Sequence, residues 1–238
     1  MNLSFSTRGW GDLSWDQMLQ EAVDMRFGGV EVYNLFKFPE LTNRGGPFHS
    51  HKVAATIRQL RDLKLKVPCF DTSVDLSSDP KAVTILTSML EAARNAQVPY
   101  VVACVLTENE EAVGEKLEKL LPAAENCGVT LLLKTSGIYA DTARLRSMLE
   151  SFASDWLGAL WDMHHPYRDF GESADTTIKN LGTYAKHVHL RDSDDNGDYQ
   201  LIGEGNMPIA EMVRALGSIN YDGFISLEWK PEWMEDLQ

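Results

Sequence analysis

Charged or polar side chains close several short apolar runs in the second half of the chain. LLLK ends in Lys134, LGALWD in Asp162 and FISLE in Glu228, while HVHLRD carries His189. Carboxylates and a neutral imidazole form a mixed oxygen and nitrogen donor set that suits Mn²⁺, Mg²⁺, Co²⁺ or Zn²⁺. Each acidic residue alone could simply cap a helix or pair with a basic side chain. Taken together, the four residues indicate one shared site.

Further polar residues are candidates for the same site. His165 follows Asp162 by three residues, and Arg191 follows HVHL and could bind a phosphate or carboxylate, or pair with the acidic loop after it. Glu31, in GVEVY, is a candidate substrate contact. The alternative is that its side chain forms a hydrogen bond only with neighbouring backbone. Glu204, in IGEG, lies either at the edge of the site or in a tight turn.

The elements that must position these residues alternate between short apolar and longer amphipathic segments. The repeat is roughly 30 residues, the length of a βαβ unit. Ser14 and Gln17 form a capping box before a predicted helix over Trp15–Phe27. The predicted strands are Asn2–Ser6, Gly29–Tyr33, Leu65–Asp71, Tyr100–Cys104, Val129–Lys134, Leu157–Trp161, Ala185–Leu190 and Gly223–Glu228.

Eight strands, each followed by a helix or its beginning, predict an α/β protein in which a parallel sheet closes into a single (β/α)8 TIM barrel over residues 1–238. A doubly wound open sheet is the alternative. Only PEWMEDLQ follows Lys230, which is short for an eighth helix. We therefore expect a barrel without a full final helix, or a chain that continues in a longer parent. In such a barrel the carboxyl ends of the strands form the active site.

The composition limits the classes of partner. The formal net charge of the 238 residues is −13, which repels nucleic acid and anionic membranes. No apolar run approaches the ~20 residues of a membrane span, and the N-terminus lacks the pattern of a secretory signal. Three cysteines show no metal-type spacing. We expect a cytoplasmic protein that acts on a small molecule. Barrels of this kind often pair, but the sequence does not fix whether this one forms a homodimer.

The order of the motifs resembles the xylose-isomerase-like TIM-barrel superfamily of sugar phosphate isomerases and epimerases. The matching segments are FGGVEVY, ENCGVTLLLKTSG, WDMHHP, HVHLRD, LIGEG and ISLEW, which span nearly the whole chain. The superfamily includes ketose 3-epimerases and inosose dehydratases, with endonuclease IV more distant. The resemblance implies an isomerase or epimerase of a sugar, sugar phosphate or cyclitol that transfers a proton next to a carbonyl.

The resemblance also implies roles for individual residues. A divalent metal would be held by a glutamate at the position of Lys134, together with Asp162, His189 and Glu228. Glu228 would also move a proton, and His165 would bind substrate near the metal. Glu31, Arg191 and Glu204 are the other expected substrate contacts.

Lys134 departs from the pattern because an ammonium replaces a carboxylate. It could be an internal cation that bonds Asp162 and Glu228 in place of the metal. It could be a nucleophile or base that forms a Schiff base, although nearby carboxylates favour its charged form. It could also swing aside and leave a weaker site of three ligands and a water.

Three function classes follow. The first is the isomerase or epimerase, with a dehydratase (a lyase) as a variant that begins with the same proton abstraction. The second is a metal-free carbohydrate-binding barrel without catalysis. The third is a DNA-repair endonuclease, which the net charge of −13 disfavours.

Overall fold

Eight parallel strands form a closed barrel at the centre of the computed structural model, which describes residues 1–233. In ring order they are β1 (Asn2–Ser6), β10 (Phe224–Leu227), β7 (Ala185–Leu190), β6 (Leu157–Asp162), β5 (Thr130–Lys134), β4 (Tyr100–Cys104), β3 (Cys69–Asp75) and β2 (Gly29–Tyr33). An antiparallel pair, β8 (Asp192–Ser193) and β9 (Tyr199–Gln200), lies outside the ring. The predicted TIM barrel of the α/β class is confirmed.

Helices connect the strands and pack around the barrel. They are α1 (Trp15–Asp24), α2 (Pro39–Thr42), α3 (Val53–Asp62), α4 (Ala82–Ala96), α5 (Glu110–Cys127), α6 (Thr142–Phe152), α7 (His164–Arg168), α8 (Ala174–Leu181) and α9 (Ile209–Ser218). The Ser14 and Gln17 capping box at α1 is present. Gly128 ends α5 at a φ of +66°, a backbone conformation that glycine adopts without strain. The sequence patterns did not predict the short helices α2 and α7.

The third strand differs from its prediction. Leu65–Asp71 was expected, but β3 begins at Cys69 and continues to Asp75. Pro68 has no N–H to donate to a sheet ladder, and before it only an isolated bridge joins Lys66 to Gly29. The shift places Asp71 inside the strand, with its side chain among those that fill the barrel.

Alternation along the strands builds two layers inside the barrel. Cys69, Val102, Leu132 and Leu160 form an apolar cluster in the interior. Because side chains alternate with a period of two, the residue two positions later on each strand faces the same interior, one layer nearer the carboxyl end. On β3, β5 and β6 these residues are Asp71, Lys134 and Asp162, so a polar layer lies on an apolar one.

The end of the described chain carries little regular structure. After β10 a short 3-10 turn covers Pro231–Trp233. The expectation that a full final helix is lacking concerns residues 234–238, which lie outside the described residues. Across residues 1–233, no helix combines the length and apolar character that a membrane span requires.

Candidate functional site

Seven buried ionisable residues meet at the carboxyl end of the barrel, and we call them the strand-end cluster. They are Glu31, Asp71, Lys134, Asp162, His189, Arg191 and Glu228. Six of these are predicted site residues, and Asp71 is the addition. Register aligns the strands that carry three of them: Asp162 pairs with His189 between β6 and β7, and His189 pairs with Ser226, two residues before Glu228, between β7 and β10.

The Lys134 ammonium lies among three carboxylates. Its Nζ donates to Glu228 Oε2 at 3.1 Å and lies 3.3 Å from Asp162 Oδ2 and 3.9 Å from Asp71 Oδ2. Burial disfavours the charged amine, but Glu228 and Asp162 outweigh it and raise the pKa of Lys134 above its ordinary value. Lys134 therefore stays protonated, which makes it a poor Schiff-base nucleophile.

Two arginines share the same carboxylates. Arg191 Nη2 forms an ion pair with Asp162 Oδ2 and lies 3.2 Å from Glu228 Oε2. Arg8 Nη1 pairs with the other oxygen of Glu228. Burial alone would raise the pKa of Glu228, but Arg191 and Lys134 hold it well below its usual range. Both oxygens of this carboxylate are thus engaged by cations.

His189 lies between two carboxylates. Its Nε2 is 2.8 Å from Glu31 Oε2, and its Nδ1 is 2.9 Å from Glu228 Oε2. Burial opposes a charged imidazole, but Glu31 outweighs it and raises the pKa of His189 to about 10. The Nε2 contact has hydrogen-bond geometry, whereas the Nδ1 contact is at ion-pair distance without that geometry. His189 is therefore a further cation of the cluster.

Glu31 lies at the inner side of the cluster, next to His187, and has no exposed surface. Its Oε2 also lies 2.8 Å from His187 Nε2, which in turn is 3.0 Å from Ser226 Oγ. Burial lowers the pKa of His187. His187 is a hydrogen-bonded core residue, and Glu31 supports the histidine pair from below.

Asp71 is the residue that sequence reasoning missed. It is 2% exposed, and its Oδ1 has no hydrogen-bond partner among the described residues. Burial raises the pKa of Asp71 to about 6, although Lys134 opposes the rise. The available signal was its position: Asp71 closes the apolar run VPCFD, as Asp162 closes LGALWD.

The rim of the site combines a histidine with aromatic rings. His165 Nδ1 is 2.6 Å from Asp169 Oδ2, and its Nε2 is 3.2 Å from Arg191 Nη2. Arg191 Nη1 donates to the Tyr199 hydroxyl at 2.9 Å, and the Tyr199 ring stacks on Trp233 with centroids 4.0 Å apart. Flat apolar faces next to hydrogen-bonding groups suit a polyhydroxylated ring.

Glu204 is separate from the cluster and exposed. The loop that carries it folds around Asp192, whose carboxylate accepts backbone N–H groups of Gly203 at 2.8 Å, Gly205 at 3.2 Å and Met207 at 3.2 Å. A side chain at Gly205 would overlap the Asp192 carboxylate. The LIGEG motif therefore has a structural basis that does not involve the Glu204 side chain.

A groove of about 890 Å³ lies at the opposite, amino-terminal end of the barrel. Lys66, Tyr100 and Lys186 are among the residues that line it. Asp222 is the one carboxylate among the described residues that line it. The ionisable side chains converge instead at the carboxyl end, which is therefore the candidate site.

The match to a known family agrees with this geometry. The family model described as "Xylose isomerase-like TIM barrel" matches residues 19–238. The chain belongs to this family. Fructoselysine 3-epimerase of Escherichia coli O157:H7 is 28% identical over 130 residues, which cover 52% of this chain and 47% of that protein. The chain thus aligns with about half the length of the curated relative it matches.

Solved structures share the xylose isomerase-like fold. The IOLI protein, whose structure contains a zinc atom, has a TM-score of 0.81 at 19% identity, covering 99% of this chain and 91% of that one. The probable 3-DHS dehydratase AsbF of Bacillus anthracis has a TM-score of 0.79 at 15% identity, covering 96% and 93%. At these identities the likeness concerns the fold alone.

A divalent metal is the cofactor that the family implies, and part of this barrel has suitable spacing for one. Ligand atoms of Asp71, His189 and Glu228 all lie within 4.8 Å of one another, as do those of Glu31, His187 and His189. Carboxylate oxygens and imidazole nitrogens are ordinary ligands of Zn²⁺ and Mn²⁺. Donor types and distances alone would therefore permit a metal.

The charges in this xylose isomerase-like barrel do not fit a divalent metal. Four carboxylates of the site face four cationic side chains. The carboxylates belong to Glu31, Asp71, Asp162 and Glu228, and the cations to Arg8, Lys134, His189 and Arg191. An ammonium about 4 Å from a divalent ion would repel it by roughly 8 kcal/mol at an effective dielectric near 20. In addition, both nitrogens of His189 face carboxylate oxygens.

Proposed function

We propose that this barrel is an isomerase or epimerase of a sugar, sugar phosphate or cyclitol that transfers a proton next to a carbonyl. The observation that carries the proposal is the position of the Lys134 ammonium between Asp162 and Glu228 at the carboxyl end of the barrel. Membership in the xylose isomerase-like family supports it, as does similarity to a fructoselysine 3-epimerase.

Cationic side chains would stabilise the charge that forms during the reaction. Removal of a proton from carbon next to a carbonyl leaves negative charge on the carbonyl oxygen, as an enolate. Lys134 and Arg191 lie within 3.3 Å of the shared carboxylates and supply fixed positive charge in a buried site. Return of the proton to the opposite face of the same carbon gives an epimer. Its return to the former carbonyl carbon gives an isomer, provided that the hydroxyl proton on the adjacent oxygen moves to the former carbonyl oxygen.

A carboxylate must accept the proton, and of the four carboxylates in the cluster we compare Glu228 with Asp71. Glu228 is the predicted proton-moving residue, but cations engage both of its oxygens. Asp71 has one oxygen without a partner among the described residues, and its pKa of about 6 suits a base at neutral pH. We propose Asp71 as the proton acceptor, with Glu228 holding Lys134 and Arg8 in place.

Substrate contacts are proposed at the rim. His165 is 21% exposed at its side chain and adjoins Arg191, so the two could bind substrate hydroxyl or phosphate oxygens. Tyr199 and Trp233 would offer the sugar the ring surface that their mutual stacking leaves uncovered.

The experiment is hydrogen exchange in D2O. The protein is incubated with ketoses, ketose phosphates and inososes, and proton NMR follows loss of the signal next to the carbonyl while chromatography identifies the product. We expect deuterium incorporation with an epimer or isomer by the wild type, and at least about a hundredfold slower exchange by Asp71→Asn. A product that has lost water would instead indicate the lyase reaction, which the dehydratase among the fold relatives makes a real alternative.

A second candidate function is carbohydrate binding without catalysis. The observation that favours it is the complete ion pairing of Glu228, since a fully paired carboxylate is a weak base. Calorimetry with the same compounds separates the two functions. Heat of binding without any deuterium exchange would support the binding protein and contradict the isomerase.

A further inference from the structure

We infer that Lys134 takes the place of the divalent ion in the strand-end cluster, so that this barrel binds no metal there, and that Lys134→Glu creates a metal site. The inference concerns the ground state of the protein and does not depend on the proposed reaction. Its test uses no substrate, so its failure and the failure of the proposed function can be told apart.

The first support is the position of the ammonium. Nζ lies 3.1 Å from a Glu228 oxygen and 3.3 Å from an Asp162 oxygen, on side chains that come from strands β10 and β6 on either side of β7. A single cation thus joins carboxylates that would otherwise repel each other. This is the structural task that a bound divalent ion performs in a site of several carboxylates.

The second support is that the oxygens facing the ammonium are shared with other cations. Asp162 Oδ2 also pairs with Arg191, and Glu228 Oε2 lies 3.2 Å from Arg191 Nη2 and 2.9 Å from His189 Nδ1. A metal at these oxygens would compete with the Lys134 ammonium and with these cations for the same carboxylates.

The third support is enclosure of the lysine. The Lys134 side chain is 9% exposed, and the carboxylate oxygens it faces on Asp162 and Glu228 are on fully buried side chains. If the Lys134 side chain swung aside, Asp162 and Glu228 would lose its ammonium as a partner. The ammonium would in turn lose the carboxylates that now face it. Both changes cost free energy in a buried site, so the geometry disfavours a displaced lysine with a metal beside it.

The experiment measures metal binding directly. Wild type, Lys134→Glu and the matched surface control Lys119→Glu are treated with EDTA, desalted and titrated with MnCl₂ by calorimetry, and metal content is measured after dialysis. Lys119 is exposed on α5, so this control makes the same charge change far from the cluster. We expect about one Mn²⁺ per chain in Lys134→Glu, at an affinity at least about a thousandfold above that of the other two proteins.

Two results would overturn the inference. One is a wild type that binds one Mn²⁺ per chain within about tenfold of the Lys134→Glu affinity. The other is a folded Lys134→Glu protein that binds no more Mn²⁺ than Lys119→Glu, because Lys134 would then not be the group that excludes the ion. If circular dichroism shows that Lys134→Glu fails to fold, Lys134→Gln replaces it. This neutral variant should bind Mn²⁺ at least about tenfold more tightly than wild type, and no gain would likewise overturn the inference.

Discussion

Lys134 and Glu228 are 94 residues apart in the chain, and their charged groups are 3.1 Å apart at the carboxyl end of the barrel. Their strands do not touch, since β6 and β7 lie between β5 and β10 in the ring. The pair therefore ties together distant parts of the sheet. Because Glu228 also pairs with Arg8, the contact extends to the segment after β1.

Removing the lysine charge should destabilise the fold. Lys134→Met keeps most of the side-chain volume but leaves Asp162 and Glu228 with fewer cations in a buried site. We expect the free energy of unfolding to fall by about 3 kcal/mol, the lower end for breaking a buried ion pair from one side. Urea unfolding followed by circular dichroism measures it. Lys119→Met, on the surface, should change it by less than about 0.5 kcal/mol.

The stability that depends on Asp71 should vary with pH. Its pKa is raised to about 6 from an ordinary 3.8, so the folded state holds this proton more tightly than the unfolded state. The contribution is then fully present below about pH 4 and is lost as the pH rises to about 6. Asp71→Asn has no carboxyl group to titrate at this position. Its free energy of unfolding relative to wild type should therefore rise by up to about 3 kcal/mol between about pH 4 and pH 6 and then level off. If the difference in free energy of unfolding between Asp71→Asn and wild type does not change between pH 4 and pH 7, Asp71 has an ordinary pKa.

The charge of His189 should depend on Glu31. Glu31 is the main group that opposes the effect of burial and raises the pKa of His189 to about 10. The resulting stabilisation is present below the ordinary pKa near 6.5 and is lost as the pH rises through 10. Glu31→Gln should lower the pKa of His189, which NMR titration of the ring nitrogens can measure. An unchanged pKa would mean that Glu228 alone keeps the ring charged.

The loop around Asp192 should be sensitive to its carboxylate and insensitive to Glu204. Asp192→Ala leaves the N–H groups of Gly203, Gly205 and Met207 without their acceptor, and we expect a loss of about 2–3 kcal/mol. Glu204→Gln should leave stability within about 0.5 kcal/mol of wild type, because the side chain is exposed. Thermal unfolding of both variants makes the comparison. A Glu204→Gln protein as unstable as Asp192→Ala would contradict this account of the motif.

The sequence by itself determined the barrel and most of the cluster. Short apolar runs separated by capped amphipathic helices predict a parallel sheet, and the strands over Asn2–Ser6, Gly29–Tyr33 and Ala185–Leu190 are found at their predicted bounds. Parallel strands that close into a ring bring their carboxyl ends together. Residues that close those strands, such as Asp162 and Glu228, could therefore be grouped from sequence position alone.

Only the tertiary structure decided which charges face one another. The sequence left three roles open for Lys134, because the direction of a long side chain inside a barrel depends on its neighbours from other strands. It also could not show that Arg8 reaches Glu228, 220 residues later, or that Asp71 enters the interior. Such contacts depend on strand register and on the balance of buried charge. Both are properties of the closed barrel, and neither can be inferred from the sequence of a single strand.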